Sequence, residues 1–416
     1  MAIATRLPRS LRPLRSREYR LLAASLVASL GAGGLWLVAL VTQVIALGGG
    51  PSALSAVSAA SAAGLLVAVL AGGIAADRLP RRALLVGVEL ARTAAGTVIA
   101  ALALTGSLTL TELVVGAAVV GLAEGFYYPT FTAVLPSLLD DEDLLAANGI
   151  EGVLRPAVRE AAGPALAGVV VAVWSPGAAL AAAAAGYLLA VAPLPFLRVP
   201  AGPERERTSV ATDLREGVRH VARTGWLAGT LVFAVLVVFV TMGPIEVLVP
   251  FAVRDHTGAG TGGFAAVLAG YGVGAATGSV LVASRPLPRR YLTVMLLLWG
   301  LGALPLVLMG STGLLAVMVA AAAVLGVTDA AAHVIWSTLL QVRVPRHLLG
   351  RVTSLDFFVS LALLPLSMAA AGPVGEALGL PLTFALAGTI PAVVALVVLA
   401  AWRLRRDELA HPLTTP

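Results

Sequence analysis

The sequence predicts an all-α integral membrane protein of about twelve transmembrane helices, arranged as two pseudo-symmetric six-helix bundles. Three observations predict this fold. The chain has 416 residues and is 59% hydrophobic but only 12% charged, whereas soluble domains carry about 25% charged residues. Apolar stretches long enough to cross a bilayer recur along the chain with short breaks. Similar short motifs also occur at equivalent places in the two halves.

Each predicted membrane helix is an apolar stretch of about 20 residues, the length that crosses the hydrocarbon layer. The breaks contain turn-forming residues, as in Gly48-Gly49-Gly50-Pro51 and Ser175-Pro176-Gly177. The predicted spans are residues 21–47, 53–76, 83–105, 110–131, 150–173, 178–197, 226–249, 264–283, 292–309, 314–340, 352–371 and 382–401.

These spans divide the chain into five regions. They are a basic N-terminus (1–20), a first six-helix bundle (21–197), a polar linker (198–225), a second six-helix bundle (226–402) and a C-terminal tail (403–416). The linker contains Pro200-Ala201-Gly202-Pro203, and a short amphipathic helix is predicted in it around residues 213–221.

The arginine residues predict the orientation. If the N-terminus lies in the cytoplasm, the arginine-rich loops all fall on the cytoplasmic side, and the outer loops receive essentially Arg254 alone. The sequence therefore predicts a multi-pass protein of a bacterial cytoplasmic membrane with both termini in the cytoplasm. Anionic lipids at the cytoplasmic face are the expected partners of these arginines, and no nucleic acid is expected.

Two missing residue types exclude several kinds of chemistry. Without cysteine the chain forms no disulfide, thiolate nucleophile or cysteine metal site. Without lysine it has no nucleotide-binding P-loop, so we expect no nucleotide. We also expect no other cofactor and no metal. The expected source of free energy is the proton-motive force. An enzyme would need a clustered set of catalytic groups, and the five scattered histidines predict none.

The two halves of the chain carry similar motifs. Leu79-Pro80-Arg81-Arg82, after the second span, recurs as Leu287-Pro288-Arg289-Arg290 after the eighth. Gly163-Pro164 in the fifth span is echoed by Gly372-Pro373 at the end of the eleventh. The spacing is close to half the chain, which is typical of secondary transporters built from repeats.

The loop between the second and third spans reads Gly73-Ile74-Ala75-Ala76-Asp77-Arg78-Leu79-Pro80-Arg81-Arg82. It resembles the signature loop of the major facilitator superfamily, in which a glycine and an Asp-Arg pair precede two further basic residues. Pro80 stands where that family usually has glycine. The resemblance implies the major facilitator fold. The matching residues are Gly73, Asp77, Arg78, Arg81 and Arg82.

A carboxylate beside guanidinium groups at the membrane edge can form charge-assisted bonds in one conformation and break them in another. By the resemblance, Asp77 would lie near the start of the eleventh helix, close to Arg351 and Asp356, and would act with them as a cytoplasmic gate. The alternative is that the arginines of the loop serve only as topology anchors.

Two further stretches resemble the exporter subgroup that includes macrolide-efflux and siderophore-export proteins. The first contains Pro129-Thr130-Phe131, Leu135-Pro136 and Leu144-Leu145-Ala146-Ala147-Asn148. The second contains Thr338-Leu339-Leu340-Gln341, Val344-Pro345 and Gly350-Arg351-Val352. The resemblance covers nearly the whole chain, and it alone implies outward transport.

The fifth span also resembles an antiporter motif, at Gly163, Pro164 and Gly168. Small residues there let two helices approach closely, and proline bends one of them. Arg159 and Ala167 depart from the motif, because both stand where it has glycine. The arginine of the fourth-helix proton motif and an acidic residue in the first helix are also missing.

Ionisable side chains at bilayer depth are costly, so each is a functional candidate. Glu89 and Arg92 lie three residues apart and can face one another, and a neutralised structural pair is the simpler interpretation. Glu124 has no arginine within one turn of its own helix, so a desolvated carboxyl group there could bind and release a proton. Alternatively, Glu124 stays solvated at the cytoplasmic mouth.

Asp329 and His333 lie four residues apart and therefore on one face of the tenth helix. Such a pair could relay protons or bind a polar substrate, although a packed, hydrogen-bonded histidine is the alternative. Glu246 follows Gly243-Pro244 and lies either at a broken helix facing the cavity or at the outer mouth. The candidates for the substrate cavity are Trp36, Gln43, Tyr127 and Trp336.

These features predict a monomeric secondary active transporter that exports a hydrophobic small molecule, such as an antibiotic or secondary metabolite, by proton antiport and alternating access. Glu124 and Asp329 are the leading candidates for the coupling residue. A proton-coupled importer or symporter of the same fold is the alternative, although few Asn or Gln lie in the spans. A membrane sensor, an enzyme or a channel fits the sequence less well, because no catalytic cluster or filter loop is evident.

Overall fold

The computed structural model describes residues 9–199 and 210–413. Within these ranges some side chains are not described, including those of residues 70–78. Helices joined by short loops make up the described structure. They are α1 (Arg17–Ala46), α2 (Pro51–Arg78), α3 (Arg81–Leu104), α4 (Leu110–Leu138), α5 (Asp141–Leu154), α6 (Gly163–Val173), α7 (Pro176–Val191), α8 (Val210–Arg223), α9 (Gly225–Gly243), α10 (Val249–Thr257), α11 (Gly260–Ala283), α12 (Tyr291–Gly302), α13 (Leu306–Ser311), α14 (Leu315–Arg343), α15 (Arg346–Ala362), α16 (Leu364–Leu378), α17 (Leu380–Ala401) and α18 (Leu404–Ala410).

Within the described ranges, twelve helical stretches are long and apolar enough to cross a membrane. This confirms the predicted fold class and number of spans. The seventh span is the longest, Gly225–Thr257, and combines α9 and α10. The fourth runs to Leu138, well past the predicted end at residue 131, although it contains Pro129 and Pro136. Proline is tolerated in membrane helices because neighbouring groups satisfy the freed backbone carbonyls.

Two spans contain a π-helical turn that begins beside a proline. In the fifth span the turn covers Arg155–Ala162, and the Gly163 amide donates to the Val158 carbonyl five residues back. In the seventh it covers Pro244–Leu248, where the Val249 amide donates to the Pro244 carbonyl. Proline removes a backbone donor, which favours this local widening of the helix. Arg159 and Glu246 lie in these turns.

The contacts divide the chain into two compact units, with boundaries at residues 47/48 and 62/63 and within the linker. Residues 48–62, which are the loop before α2 and the first twelve residues of α2, group with the second unit. The division predicted from sequence, at 21–197 and 226–402, stays a prediction. In the linker, α8 covers the predicted amphipathic helix and extends it at both ends, whereas residues 200–209 fall outside the described part.

Each unit has its own apolar core, and glycines bring its helices close together. In the first unit, a Cβ added to Gly34 of α1 would lie 3.0 Å from the Gly163 Cα atom. In the second unit, α11 and α14 are in close contact, since a Cβ on Gly274 would overlap the Ala323 carbonyl and one on Gly326 would overlap the Tyr271 carbonyl. Such small-residue contacts are typical of membrane helix pairs. They position the polar side chains described next.

Candidate functional site

The first unit contains a row of alternating charges across four helical segments, which we call the arginine cluster: Ser29, Glu89, Arg92, Glu124 and Arg159. Arg92 donates to Glu124 at 2.5 Å, and Arg159 donates to the other oxygen of Glu124 at 2.8 Å. Glu124 is therefore held between two guanidinium groups from other segments. The expectation that Glu124 is a carboxylate without an arginine partner was wrong, because its partners come from α3 and the π-helical turn of the fifth span.

The part of the arginine cluster formed by Ser29, Glu89 and Arg92 is buried. Glu89 is inaccessible to solvent and the Arg92 side chain is 2% exposed. The Ser29 hydroxyl donates to Glu89 at 2.7 Å and accepts from Arg92 at 3.0 Å. Arg92 and Glu89 are 3.4 Å apart, so the pairing expected from their spacing is present. The Arg92 guanidinium group is closer to Glu124 (2.5 Å) than to Glu89 (3.4 Å). Arg92 therefore links the two carboxylates.

Two tyrosines cover the buried guanidinium group. Arg92 Cζ lies 5.1 Å from the centre of the Tyr127 ring and 5.5 Å from that of Tyr187. Aromatic faces attract cations, and this attraction strengthens when water is excluded. Tyr127, predicted to line the substrate cavity, is buried beneath Arg92 and also stacks on Phe131. It therefore contributes to the environment of the ion pairs.

The second unit contains a different constellation, which we call the acidic cluster: Asp329, His333 and Asp356 with Tyr271, Trp299 and Trp336. The Tyr271 hydroxyl donates to Asp329 at 2.9 Å, and Trp299 Nε1 donates to its other oxygen at 3.1 Å. His333 Nδ1 lies 3.1 Å from the backbone carbonyl oxygen of Asp329 and 3.4 Å from its carboxylate. The two residues predicted to share a helical face therefore do interact.

The acidic cluster is open and lined by aromatic rings. The His333 side chain is 61% exposed and that of Asp329 is 31% exposed. Trp299 packs edge-on against the His333 ring, with centres 5.1 Å apart, and stacks on Phe233. Both titratable residues lie well inside α14. Because ionisable groups within spans almost always face polar cavities, we expect their exposed faces to meet water and not lipid.

Asp356 lies at the edge of the same cluster. Trp336 Nε1 donates to Asp356 at 3.0 Å, and Asp356 interacts electrostatically with His333. Arg351, one turn earlier in α15, is paired with Glu216 of α8. Gly73, Asp77 and Arg78 lie outside the described side chains, so the predicted gate stays a prediction. Arg81 and Arg82 open α3 at its first turn.

The remaining predicted residues have simpler surroundings. Gly163 and Pro164 pack against Gly34 of α1, so the small residues of the fifth span do allow a close approach, and Gly168 is also buried. Glu246 is half-buried in its π-helical turn. Trp36 and Gln43 are buried in α1, and Trp336 packs edge-on against Trp226. Their role as cavity residues stays a prediction.

Several members of the clusters were not singled out from the sequence. Arg159 was noted only as a departure from a motif, yet it donates to Glu124. Tyr271 and Trp299 complete the shell of Asp329. A charged residue inside an apolar span was the available signal for Arg159. The two aromatic donors carried no comparable signal, because most aromatic residues of membrane proteins are interface anchors.

Comparisons with known proteins identify the family. The chain matches the family model of the Major Facilitator Superfamily over residues 21–363. Macrolide efflux protein A of Streptococcus pyogenes is 25% identical over 187 residues, which cover 44% of this chain and 46% of that protein. Macrolide efflux protein A of Enterococcus faecalis is 25% identical over 187 residues, which cover 44% of this chain and 57% of that protein. The chain thus matches about half the length of these relatives.

Solved transporters share the fold. The nucleoside transporter NupG has a TM-score of 0.69 at 12% identity, with 93% of this chain and 99% of that one covered. A POT family transporter in complex with 5-aminolevulinic acid has a TM-score of 0.73 at 11% identity, with 92% and 96% covered. At such identities the likeness shows the fold alone. The chain belongs to the Major Facilitator Superfamily and is a multi-pass membrane transporter, not an enzyme.

Proposed function

We propose that the protein exports a hydrophobic small molecule, such as an antibiotic, across the bacterial cytoplasmic membrane in exchange for protons. The observation that carries this proposal is the environment of Asp329. Among the described residues, its partners are two neutral donors and one titratable ring. In the described part of the chain, no arginine is paired with Asp329, so we infer that the charge of the Asp329–His333 pair changes when a proton binds.

Such a change in charge is what coupling requires. A carboxyl group inside a span is costly when charged and cheap when protonated. A transporter that changes its preferred conformation when the group becomes neutral couples proton movement to alternating access. We assign His333 the role of passing a proton between this carboxylate and water, because its ring is exposed and lies 3.4 Å from an Asp329 carboxylate oxygen. The proton-motive force supplies the free energy, and no nucleotide takes part.

The arginine cluster is less suited to this role. Protonating Glu124 would leave Arg92 and Arg159 facing each other without the carboxylate that bridges them. Removing one partner of a fully buried ion pair typically costs about 3–5 kcal/mol, and the cost is smaller here because Glu124 and Arg159 are 29% and 39% exposed. We therefore assign coupling to Asp329 and His333, and we assign Glu89, Arg92 and Glu124 a structural role in the first unit. From the sequence alone, Glu124 and Asp329 were equal candidates for the coupling residue, and we now favour Asp329.

Two observations support export of a hydrophobic substrate. The partly exposed ring of Trp299 lies beside Asp329, and aromatic rings bind apolar molecules by burial of surface area. The relatives matched over part of their length are macrolide efflux proteins, which favours the outward direction. With the arginine-rich loops in the cytoplasm, both termini of this monomer are cytoplasmic.

The test uses proteoliposomes that contain a proton-sensitive dye and the purified full-length protein. The macrolide erythromycin and a set of lipophilic dyes are added in turn under an imposed pH gradient. Antiport predicts that substrate movement and proton movement have opposite directions, whereas symport predicts the same direction. Substrate equilibration without any proton movement would contradict coupling altogether. Liposomes without protein control for leakage of the gradient by the compounds themselves.

A further inference from the structure

The C-terminal segment, residues 403–413, folds back onto the second unit. The chain turns after α17 at Arg403, which has a positive φ of 49°. Glu408 of α18 is fully buried, and its carboxylate accepts from the Thr293 amide at 3.0 Å and the Thr293 hydroxyl at 2.6 Å. Leu404 is buried too, and the Tyr291 hydroxyl donates to the His411 carbonyl. The segment is therefore firmly attached near the start of α12.

Arg343, the last residue of α14, joins this segment to the seventh span. Its guanidinium group donates to Asp407 at 2.6 Å. It also lies 4.7 Å from the centre of the Trp226 ring and 5.8 Å from that of Tyr291. Only 9% of the Arg343 side chain is exposed. The group is thus fixed in position by one carboxylate and two aromatic rings.

A surface pocket of about 620 Å³ opens between the C-terminal segment and the junction of α8 with α9. Its basic residues are Arg223, Arg343 and His411, and its carboxylate is Asp407. With His411 neutral, two arginines against one aspartate give the pocket a charge of +1. Leu413 adds a partly exposed apolar wall, and the Trp226 ring, which is 4% exposed, lies beneath Arg343. The pocket therefore combines excess positive charge with a surface for hydrocarbon.

We propose that this pocket binds the phosphate group of an anionic phospholipid, with Arg223 as the direct ligand and Arg343 as a fixed second charge. Arg223 is the exposed last residue of α8 and Trp226 is the second residue of α9, where the seventh span begins. A pocket at the start of a span lies at the level of the lipid headgroups. Tryptophan is enriched at that level, and basic pockets on the cytoplasmic side bind such headgroups.

A lipid in this pocket would contact three parts of the second unit at once. They are the end of the linker helix α8, the start of α9 and the C-terminal segment. The bound phosphate would hold the linker against the C-terminal segment without adding any protein contact. This role is independent of the transported substrate and of proton coupling, so it stands or fails separately from the proposed function.

The test measures lipid binding to the purified full-length protein in detergent by native mass spectrometry. Phosphatidylglycerol is compared with phosphatidylcholine and with soluble glycerol 3-phosphate, in wild type, Arg223→Gln and Arg219→Gln. Arg219 is an exposed arginine of the same helix that does not line the pocket, so the two variants remove equal charge. Losing one charge-assisted bond to phosphate typically weakens binding about 10-fold.

We expect phosphatidylglycerol to bind more tightly than either comparison compound. Arg223→Gln should lose about 10-fold in affinity, while Arg219→Gln should stay within about 2-fold of wild type. Equal losses in both variants would overturn the site, because binding would then follow net charge alone. Equal affinity for glycerol 3-phosphate would overturn the lipid assignment and identify a soluble phosphate as the ligand. Unchanged melting temperatures confirm that both variants are folded.

Discussion

The arginine cluster and the acidic cluster place carboxylates inside the membrane in opposite ways. In the arginine cluster, Glu89 and Glu124 are matched by Arg92 and Arg159, so that the charges sum to zero. In the acidic cluster, Asp329 is satisfied by Tyr271 and Trp299, and the charge beside it depends on whether His333 is protonated. Fixed partners make a carboxylate structural, whereas neutral and titratable partners leave it able to exchange a proton.

The partners of the carboxylates differ in burial, although Glu124 and Asp329 are themselves exposed to a similar degree, 29% and 31%. Arg92 is almost inaccessible, whereas most of the His333 ring is exposed. Buried ion pairs are costly to break, because removing one partner leaves an uncompensated charge. Exposed titratable groups can change charge at little cost to the fold. The comparison therefore predicts that substitutions in the arginine cluster reduce stability, and that substitutions in the acidic cluster reduce coupling.

The largest expected effect on stability is that of Arg92→Met. The substitution keeps much of the side-chain volume but leaves Glu89 and part of Glu124 without a counter-charge, so we expect a loss of about 3–5 kcal/mol in unfolding free energy. Thermal unfolding in detergent measures it. The control is Arg254→Met, which removes an arginine that is 42% exposed and paired with Asp255, and should cost no more than about 1 kcal/mol. Equal losses would show that the arginine cluster is not structural.

A smaller effect is expected for Gly34→Ala, which tests how Arg159 is positioned. The added methyl group would lie 2.9 Å from Pro164 Cδ and 3.0 Å from the Gly163 Cα atom. Overpacking of this kind costs about 1–3 kcal/mol. In Gly87→Ala the methyl group meets no atom within 4 Å, so that variant should be neutral or slightly more stable. A stable Gly34→Ala protein would contradict the close approach of α1 and the fifth span.

The smallest effects compare one hydrogen bond in each cluster. Ser29→Ala removes the 2.7 Å bond to buried Glu89 and should cost about 1–2 kcal/mol, because water cannot replace the lost donor. Tyr271→Phe keeps the ring but removes the 2.9 Å bond from its hydroxyl to the partly exposed Asp329, and should cost about 0.5 kcal/mol. Both are measured by thermal unfolding. The reverse order of losses would mean that burial does not separate the clusters.

Most of the fold could be predicted from the sequence because each span is defined by local composition. The boundaries failed where composition is not decisive. The fourth helix continues through Pro129 and Pro136 to Leu138, although prolines and the polar Ser137 suggest an end. The π-helical turn at Arg155–Ala162 was not foreseen either, since a proline within a span favours such a turn but does not require one.

The candidate site could be predicted only where its members share a helix. The pairs Glu89/Arg92 and Asp329/His333 followed from spacings of three and four residues. The bonds of Glu124 to Arg92 and Arg159 span 32 and 35 residues, and those of Asp329 to Tyr271 and Trp299 span 58 and 30. Helix packing brings such partners together, and neither the type nor the spacing of residues in one sequence reveals how the helices pack.

The most direct test of the proposed coupling compares Asp329→Asn with Glu124→Gln in proteoliposomes. For each variant, the number of protons released per erythromycin molecule transported is measured, together with exchange of labelled erythromycin in the absence of a pH gradient. The ratio separates coupling from a general loss of activity. We predict that Asp329→Asn still exchanges erythromycin but releases no protons, and that Glu124→Gln keeps the wild-type ratio at a lower rate. Proton release that persists in Asp329→Asn and disappears in Glu124→Gln would contradict the assignment of coupling to the acidic cluster.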